Sequence, residues 1–291
     1  MAEHTTFRVG GPADYYAVPL IPHDIRELLR FAREAGIPVF VLGGGANVLV
    51  SDAGVRGLVI DMTSINGIRS RGTIGDQFVV EAGAGLPISE ASAWAAENGL
   101  AGLEFIYSMP GSVAGAVWMN ARCYGADIAG VLAYVDLMTA NGRERRYQPV
   151  PSDFAYKRSP FQGDDTLMVN IGFKLALGDK SKLWDEMKAH ETDRRSKGHF
   201  DAPCAGSFFK NNRAFGKPTG ALLDELGLRG SARGGARVSD KHANIMGNAG
   251  GATATDILAL ANHMAAEAKR HHGVELEREV VLVGEWDGHD A

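Results

Sequence analysis

The sequence has few of the residues that form covalent or metal cross-links. Its 291 residues include two cysteines, Cys123 and Cys204, with no Cys-x-x-Cys pair around either. This count argues against a disulfide framework and against a cysteine-based zinc site. Because a chain of this length buries enough surface to fold without such cross-links, we expect two reduced thiols and no metal site.

Excess basic charge and long apolar runs are also missing. The net charge is −5, with 30 lysines and arginines against 35 acidic residues, which argues against general nucleic-acid binding. Apolar runs such as residues 113–119 are far shorter than the roughly 20 residues of a membrane-spanning helix. No secretory signal is visible. We expect a soluble, cytoplasmic protein with no nucleic-acid partner and no membrane insertion.

Glycine, in contrast, is abundant. The 37 glycines are about 13% of the chain, against a usual value of about 7%. The absence of a Gly-X-Y period and the count of 11 prolines exclude a collagen-like protein, and the evenly spread apolar residues exclude low-complexity disorder. We therefore expect these glycines to occupy specific turns of a folded protein.

Hydrophobic patterns predict an α+β fold. Helices are predicted after Asp24 and over residues 253–271, and an Asn141-Gly142 turn predicts a hairpin. Strands and helices do not alternate strictly, so an α+β fold is favoured over a doubly wound sheet. The composition changes near residue 178, where a charged helix follows, which predicts a domain boundary there.

The first glycine-rich segment, Gly43-Gly44-Gly45, follows the predicted strand 38–42. Without Cβ atoms, successive N–H groups in such a turn can approach a phosphate. The Rossmann fingerprint does not fit, because Val48 occupies the position of its third glycine and residues 48–50 read as a strand. The residues alone leave both a phosphate site and a plain tight turn open.

The second segment, Pro110-Gly111-Ser112, precedes a short helix of small residues that includes Gly115. The N-terminus of this helix is expected to present free N–H groups and a positive dipole end to an anion. Close helix packing is the alternative. Two such segments in one domain favour a dinucleotide-binding site more strongly than either segment does alone.

Eight blocks of the sequence, in the same order, resemble the UDP-N-acetylenolpyruvoylglucosamine reductase family. They extend over nearly the whole chain and include Tyr156-Lys-Arg-Ser159, Ala205-Gly-Ser-Phe-Phe-Lys-Asn211 and Leu276-Glu-Arg-Glu-Val280. The other five blocks are residues 6–13, 43–52, 81–85, 110–116 and 234–244. Each block alone is weak, but their common order makes the resemblance specific.

The resemblance implies an FAD-binding fold of the vanillyl-alcohol-oxidase type. It would consist of two subdomains, residues 1–65 and 66–178, followed by a substrate-binding domain, residues 179–291, whose last strand returns to the active site. The short stretch between Leu175 and Ser207 indicates the shorter subtype, which lacks a substrate-capping insertion.

The resemblance also implies the reaction. NADPH would reduce FAD, hydride would then reach C3 of UDP-N-acetylglucosamine enolpyruvate, and a proton at C2 would complete UDP-N-acetylmuramate, a precursor of the bacterial cell wall. We expect a monomer. Two alternatives stay open: another flavin oxidoreductase of the same fold, and a non-catalytic protein that binds a UDP-sugar or a flavin.

Site residues follow from the matching blocks. Ser207 matches the proton donor and Glu279 the glutamate that polarises the substrate carboxylate. Substrate contacts are expected from Tyr156, Lys210, Asn211 and His242. The residues expected to bind FAD are Gly43, Gly44, Gly45, Ala46, Asn47, Val48, Leu49, Pro110, Gly111, Ser112 and Gly115.

One block departs from the family, which has Tyr-Arg-x-Ser with the arginine on the substrate carboxylate. Here Lys157 stands in the arginine's place and Arg158 follows it. Lysine supplies a point charge rather than a two-pronged hydrogen-bond donor. Because adjacent side chains of an extended segment point to opposite faces, we expect Lys157 to take this role unless a bulge turns Arg158 inward.

Overall fold

The computed structural model describes residues 1–163 and 165–286 of the chain. Within these residues the α-helices are α1 Pro22–Ala35, α2 Ile88–Glu97, α3 Val113–Trp118, α4 Lys180–Ser196, α5 Thr219–Glu225 and α6 Ala254–His272. None of these helices is both long enough and apolar enough to cross a membrane.

The strands fall in the first two thirds of the chain and again after residue 203. Those before residue 178 are β1 Ala13–Ala17, β2 Val39–Leu42, β3 Val48–Val50, β4 Val55–Asp61, β5 Ile68–Ile74, β6 Gln77–Gly83, β7 Leu100–Ala101, β8 Arg122–Cys123, β9 Ala126–Asp127, β10 Leu132–Thr139, β11 Glu144–Tyr147 and β12 Thr166–Leu177. The later ones are β13 Cys204–Ser207, β14 Ala232–Arg233, β15 Ala236–Val238, β16 Ile245–Asn248 and β17 Val281–Val283.

The chain divides into two compact units. The first contains residues 1–14, 45–56 and 192–291, and the second contains residues 15–44 and 57–191. Each unit is therefore built from more than one stretch of sequence. The boundaries predicted after residues 65 and 178 do not coincide with these limits, and the division into two cofactor subdomains and a substrate domain stays a prediction.

The second unit is built around an antiparallel sheet with the order β11-β10-β12-β6-β5, and β7 pairs with β12. The predicted Asn-Gly hairpin is present, since Val135 to Met138 of β10 pair with β11 and Gly142 has φ +73°. A core of aliphatic and aromatic side chains, including the fully buried Phe173 and Ile106, packs against this sheet and α2.

A smaller sheet in the order β1-β4-β2 carries α1, and its strands β2 and β4 are parallel. Near the start of α1, the Asp24 carboxylate accepts hydrogen bonds from the N–H groups of Leu20 and Ile21. Gly36 ends the helix in the left-handed conformation that glycine adopts at least cost. Gly36 ends the helix as the sequence predicts. The predicted start after Asp24 is wrong, because the helix begins at Pro22 and Asp24 lies in its first turn.

The first unit contains a four-stranded antiparallel sheet with the order β13-β16-β15-β14 and the helices α5 and α6. Thr253 and Asp256 form a capping box at the start of α6, which the sequence also places there. The apolar face of α6 joins a core with the buried Phe208 and Phe209. The strands of this sheet lie between residues 204 and 248, a stretch in which no strand is predicted from the sequence.

One parallel strand pair brings distant segments of the first unit together. Val48 to Val50 of β3 pair with Val281 to Val283 of β17. Strand β3, which follows the glycine-rich turn, is therefore paired with a segment more than 200 residues later in the sequence. This pairing also holds residues 277–280, which lie just before β17, beside β3.

Candidate active site

Ser207 is the last residue of β13, where it pairs with Ile245 of β16. The residue before it, Gly206, has φ +74°, in the region that glycine occupies without strain. The Ser207 side chain is half-buried. Its backbone is therefore fixed by a sheet on one side, and the chain turns sharply just before it.

Asn244 anchors the two residues that follow Ser207. The N–H of Phe208 donates to the Asn244 carbonyl at 2.8 Å, and the N–H of Phe209 donates to Asn244 Oδ1 at 3.0 Å. Asn244 Nδ2 in turn donates to the carbonyl of Phe209 at 2.8 Å. Asn244 is 1% exposed, so it is a buried structural link rather than a side chain open to a ligand.

The segment 277–280 holds the same two residues from the other side. The N–H of Glu279 donates to the Phe208 carbonyl and the N–H of Lys210 donates to the Glu277 carbonyl, both at 2.8 Å. Phe209 and Arg278 form an antiparallel bridge. Ser207 and Glu279, 72 positions apart in the sequence, are thus brought together by backbone hydrogen bonds.

Asn47 ties the glycine-rich turn to this segment. Its Nδ2 donates to the Glu279 carbonyl at 2.9 Å, and its own carbonyl accepts the N–H of Val281 at 3.0 Å. Leu49, two residues on, is fully buried in the core of the first unit. These two residues of the predicted cofactor segment therefore have a structural role in positioning Glu279.

Lys210 and Asn211 lead from the Ser207 segment to α5. The Lys210 ammonium group pairs with the Glu277 carboxylate at 2.5 Å, and its carbonyl accepts the Thr219 hydroxyl at 2.7 Å. Asn211 Oδ1 accepts the N–H of Thr219 at 2.9 Å, at the start of α5. Both predicted substrate residues are thus next to Ser207 in the same unit and are partly committed to holding α5.

His242 is turned toward the protein. Its Nδ1 accepts the N–H of Asn244 at 3.1 Å, and its ring lies so close to Gly220 that a Cβ there would be 2.5 Å from Cε1. Burial lowers the pKa of His242 below its usual value. The ring is therefore neutral near pH 7, with the proton on Nε2, and it supports the turn that presents Asn244.

His199, which is not among the predicted site residues, lies against the residue preceding Ser207. A Cβ on Gly206 would be 3.9 Å from His199 Nδ1. Burial, together with the positive charge of Arg194, lowers the pKa of His199 to about 4. No spacing or motif marks this histidine in the sequence, because only the fold brings it to Gly206.

The Tyr156-Arg158 segment is a turn rather than the extended segment expected. Ala155 and Arg158 exchange backbone hydrogen bonds of 3.0 and 3.1 Å, and Lys157 has φ +56°. The expectation of alternating faces is therefore wrong, because the chain reverses within these four residues. Tyr156 and Arg158 are exposed while Lys157 is half-buried, and the choice of Lys157 over Arg158 stays a prediction.

Side chains hold this turn in the second unit. Asn120 Nδ2 donates to the carbonyl of Ala155 at 3.0 Å, and Asn120 Oδ1 accepts the N–H of Ala129 at 3.1 Å. Gln162 Nε2 donates to the carbonyl of Lys157 at 3.1 Å. The left-handed backbone of Lys157 is stabilised by these contacts rather than by a strand.

The two glycine-rich segments lie against each other within the second unit. A Cβ on Gly44 would be 2.7 Å from the Cα of Gly111, and a Cβ on Gly43 would clash with the Ser112 hydroxyl. Four residues of these turns lie outside helices and strands: Gly43, Gly44, Gly111 and Ser112. Within the described part of the chain, their N–H groups donate no hydrogen bond to a backbone carbonyl. This arrangement fits a pyrophosphate, which needs several converging N–H donors.

Gly45 contributes differently, because its φ is +60° and a Cβ there would clash with the carbonyl oxygen of His4. Its own carbonyl accepts the N–H of Thr6 at 3.0 Å. Any larger residue at position 45 would displace the segment 4–6 of the first unit.

The expectation of free N–H groups at the start of α3 is wrong. The N–H groups of Val113 and Ala114 donate to the carbonyls of Leu86 and Ala84, at 2.8 and 2.9 Å. Ser112 caps the helix by accepting the N–H of Gly115. The first turn of α3 is therefore satisfied by the protein, and anion donors are limited to the turn that precedes it.

Comparison with known proteins agrees with this geometry. The family model for the C-terminal domain of UDP-N-acetylenolpyruvoylglucosamine reductase matches residues 198–283, and an FAD-binding domain model matches residues 13–147. The FAD-binding part and the α+β class predicted from the sequence are thereby confirmed.

Relatives match along the whole chain. The UDP-N-acetylenolpyruvoylglucosamine reductases of Treponema denticola and Heliobacterium modesticaldum are each 39% identical; the matches cover 97% and 99% of this chain and 91% and 90% of those proteins. The crystal structure of the Thermus caldophilus UDP-N-acetylenolpyruvylglucosamine reductase superposes with a TM-score of 0.78 at 28% identity, over 97% of this chain and 96% of that one.

Proposed function

The chain belongs to the UDP-N-acetylenolpyruvoylglucosamine reductase family, and from this we propose that it reduces UDP-N-acetylglucosamine enolpyruvate to UDP-N-acetylmuramate with NADPH. Bound FAD would carry the hydride between the two substrates. The product is a peptidoglycan precursor, so the proposal assigns the protein to cell-wall synthesis. We further propose that it acts in the cytoplasm as a monomer.

The juxtaposition of Ser207 and Glu279 is the observation that supports this function most directly. When hydride adds at C3, negative charge develops on C2 and the substrate carboxylate, and a proton must then arrive at C2. We assign the proton to the Ser207 hydroxyl and the polarisation of the carboxylate to Glu279. The N–H of Glu279 bonds to the residue after Ser207, so the two groups are held in a fixed relation.

A serine hydroxyl is a weak acid, so it needs nearby charge to give up its proton. The Lys210 ammonium group lies three residues on, and it pairs with the exposed Glu277. Substrate binding that draws Lys210 from Glu277 would place a positive charge near the developing anion. Asn211, Tyr156 and the Nε2–H of His242 are the further groups we assign to substrate binding.

Lys157 is our assignment for the second cation on the substrate carboxylate. It is half-buried at the tip of the turn, whereas Arg158 is exposed. A lysine at this position supplies charge without the two-pronged geometry of an arginine, so the carboxylate would have more freedom to rotate.

The N–H groups of Gly43, Gly44, Gly111 and Ser112 are our assignment for the FAD pyrophosphate. Gly45 and Pro110 shape these turns, and Gly115 and Ser112 complete the cap of α3. Ala46 and Asn47 connect the first turn to β3, whose first two residues are Val48 and Leu49. Asn47 and Leu49 then act through the position of the chain rather than through side-chain contact with the cofactor.

Absorbance spectroscopy with defined substrates tests the proposal. The purified protein should be yellow, lose its flavin absorbance on anaerobic addition of NADPH, and regain it when UDP-N-acetylglucosamine enolpyruvate is added. Product formed in deuterium oxide should carry deuterium at C2. A colourless protein, or a reduced flavin that molecular oxygen reoxidises and the enolpyruvyl substrate does not, would refute the assignment; the second result would instead indicate an oxidase of the same fold.

A further inference from the structure

We propose that Asn244 is a positioning residue, which fixes the Ser207 hydroxyl relative to Glu279 for the protonation step. This inference rests on the proposed function and goes beyond it, because Asn244 contacts neither FAD nor substrate in our assignment. It concerns Asn244 alone and leaves the assignment of His242 to substrate binding unchanged.

The hydrogen bonds of Asn244 extend the sheet past its last regular pair. Strand β13 ends where Ser207 pairs with Ile245. Beyond that point the Asn244 side chain makes the hydrogen bonds that a neighbouring strand would make. Its amide accepts the N–H of Phe209 and donates to the Phe209 carbonyl. The backbone carbonyl of Asn244 accepts the N–H of Phe208, so one residue satisfies three backbone groups.

The same segment is bound on its other edge by the N–H of Glu279, which donates to Phe208 at 2.8 Å. Phe208 and Phe209 are 0% and 2% exposed, and their rings lie 5.2 Å apart at 66°. Their side chains therefore prevent the segment from shifting as long as its backbone bonds are made. Asn244 is the contact that keeps Phe209, and with it the peptide after Ser207, at a constant distance from residue 279.

Few side chains can replace Asn244 at this position. Its amide presents one acceptor and one donor at the spacing of a peptide group, and both are used. Aspartate has the same shape but lacks the donor when ionised, and alanine lacks both. Both groups of Phe209 are buried, so alanine would leave them without partners.

The first experiment separates the two half-reactions of the holoenzyme by stopped-flow absorbance. In Asn244→Ala, reduction of the flavin by NADPH should stay within about twofold of the unchanged protein. Reoxidation by the enolpyruvyl substrate should slow by about 100-fold, the effect of misplacing a reacting group by roughly 1 Å. Equal slowing of both half-reactions, or no slowing of reoxidation, would overturn the proposal.

A double-mutant cycle shows whether Asn244 acts through Ser207. If it does, Asn244→Ala should slow reoxidation by less than about threefold when Ser207→Ala is already present, because the group that it positions is gone. Full additivity of the two effects would mean that Asn244 only stabilises the fold, and the proposal would be wrong.

Asn244→Asp provides a conservative variant with its own pH signature. Burial raises the pKa of a carboxyl group, and the neutral form regains an O–H donor for the Phe209 carbonyl. The reoxidation rate of this variant should therefore rise toward that of the unchanged protein as the pH falls. A pH profile parallel to that of the unchanged protein would contradict the assigned hydrogen bond.

Hydrogen exchange gives a readout independent of turnover, with Asn248→Ala as the matched control. Asn248 lies four residues on in the same segment, and its side chain accepts the N–H groups of Gly250 and Ala252 instead. Exchange in the peptide that contains residues 207–210 should accelerate in Asn244→Ala and not in Asn248→Ala. Loss of protection in both variants, or in neither, would refute the anchor. Failure of the unchanged protein to be reoxidised by the substrate would instead refute the proposed function.

Discussion

Ser207 and Lys157 are both assigned to the substrate, but the protein holds them in opposite ways. Ser207 ends a strand, and the two residues after it are buried and bonded on both edges, by Asn244 and by Glu279. Lys157 occupies the tip of a turn, with exposed residues on both sides and a left-handed backbone. The Ser207 segment continues a sheet. The turn is closed by its own Ala155–Arg158 hydrogen bonds and by the side chains of Asn120 and Gln162.

This difference corresponds to two chemical tasks. A short serine side chain has one rotatable bond, so its hydroxyl can reach a carbon atom only if the backbone is placed correctly. A lysine carries its charge on a long flexible stem, and it can neutralise a carboxylate from a range of backbone positions. The comparison implies that changes near Ser207 affect the rate of protonation, whereas changes near Lys157 affect substrate binding more than rate.

The largest effect is expected from Ser207→Ala. Loss of a positioned general acid should lower kcat by about 1,000-fold, while the reduction of the flavin by NADPH stays unchanged. Rapid-mixing absorbance measures both steps. Ser239→Ala is the control, because its hydroxyl accepts the N–H of Lys241 in another part of the same unit. A Ser207→Ala protein with full turnover would remove the proton-donor assignment.

The second effect concerns the turn. Lys157→Ala should lower kcat/KM by about 100-fold, mostly through KM, because a partly buried charge on the carboxylate is lost. Arg158→Ala, the matched change at the neighbouring exposed position, should alter kcat/KM by less than about threefold. Steady-state kinetics with varied enolpyruvyl substrate decides between them. The reverse ranking would show that Arg158, and not Lys157, takes the role of the family's arginine.

The third prediction concerns how the free energy of unfolding changes with pH through His199, which lies beside the Ser207 segment. Burial holds the pKa of His199 near 4 in the folded protein, below its usual 6.5. The unfolded chain therefore takes up a proton first as the pH falls, and the histidine should lower the free energy of unfolding by about 2 kcal/mol between pH 7 and pH 5.

Urea unfolding at the two pH values checks this expectation. In His199→Gln this part of the loss should disappear, whereas His272→Gln, at an exposed position on α6, should keep it. The same loss in both variants would mean that His199 is not the group that titrates.

The smallest effect is expected from a glycine at position 157, which tests the backbone conformation of the turn separately from the role of the lysine side chain. Lys157→Gly should raise the free energy of unfolding by about 1 kcal/mol, since glycine adopts the left-handed region without the strain of a Cβ. Its turnover should nevertheless fall as in Lys157→Ala. Arg158→Gly should instead destabilise the protein, because Arg158 lies outside that region. Thermal unfolding distinguishes the two; a destabilised Lys157→Gly would show that the side chain, and not the backbone, holds the turn.

The sequence predicts the helices well because their ends carry local signals. Asp24 lies in the first turn of α1 and Gly36 ends it, and Thr253 with Asp256 marks α6, and each of these residues acts on its own helix. The strands around Ser207 carry no such signals, since β13 to β16 are two to four residues long and are stabilised by one another. The pairing that positions Ser207 joins β13 to β16, which is distant in the sequence, so a local pattern does not reveal it.

The candidate site divides in the same way. The motif predicts roles for Ser207 and Glu279, and these stay predictions. Nothing in the spacing shows that Asn244 bonds to Phe209 or that His199 lies beside Gly206. The motif also suggests free N–H groups at the start of α3, and the fold uses them to bind Leu86 and Ala84. Residue identity indicates which chemistry is present, while three-dimensional pairing decides which polar groups are left to perform it.

The parallel pairing of β3 with β17 joins segments that are translated at very different times. Asn47 and Glu279, which share a hydrogen bond, are 232 positions apart. At 5–20 residues per second, a ribosome needs roughly 12 to 46 seconds to add that length of chain. Throughout that interval β3 has been made and its partner has not, so the glycine-rich turn emerges long before Glu279, which we assign to the substrate carboxylate. We therefore expect the nascent protein to be inactive until this late strand is translated, because in the described residues β3 pairs with β17 alone.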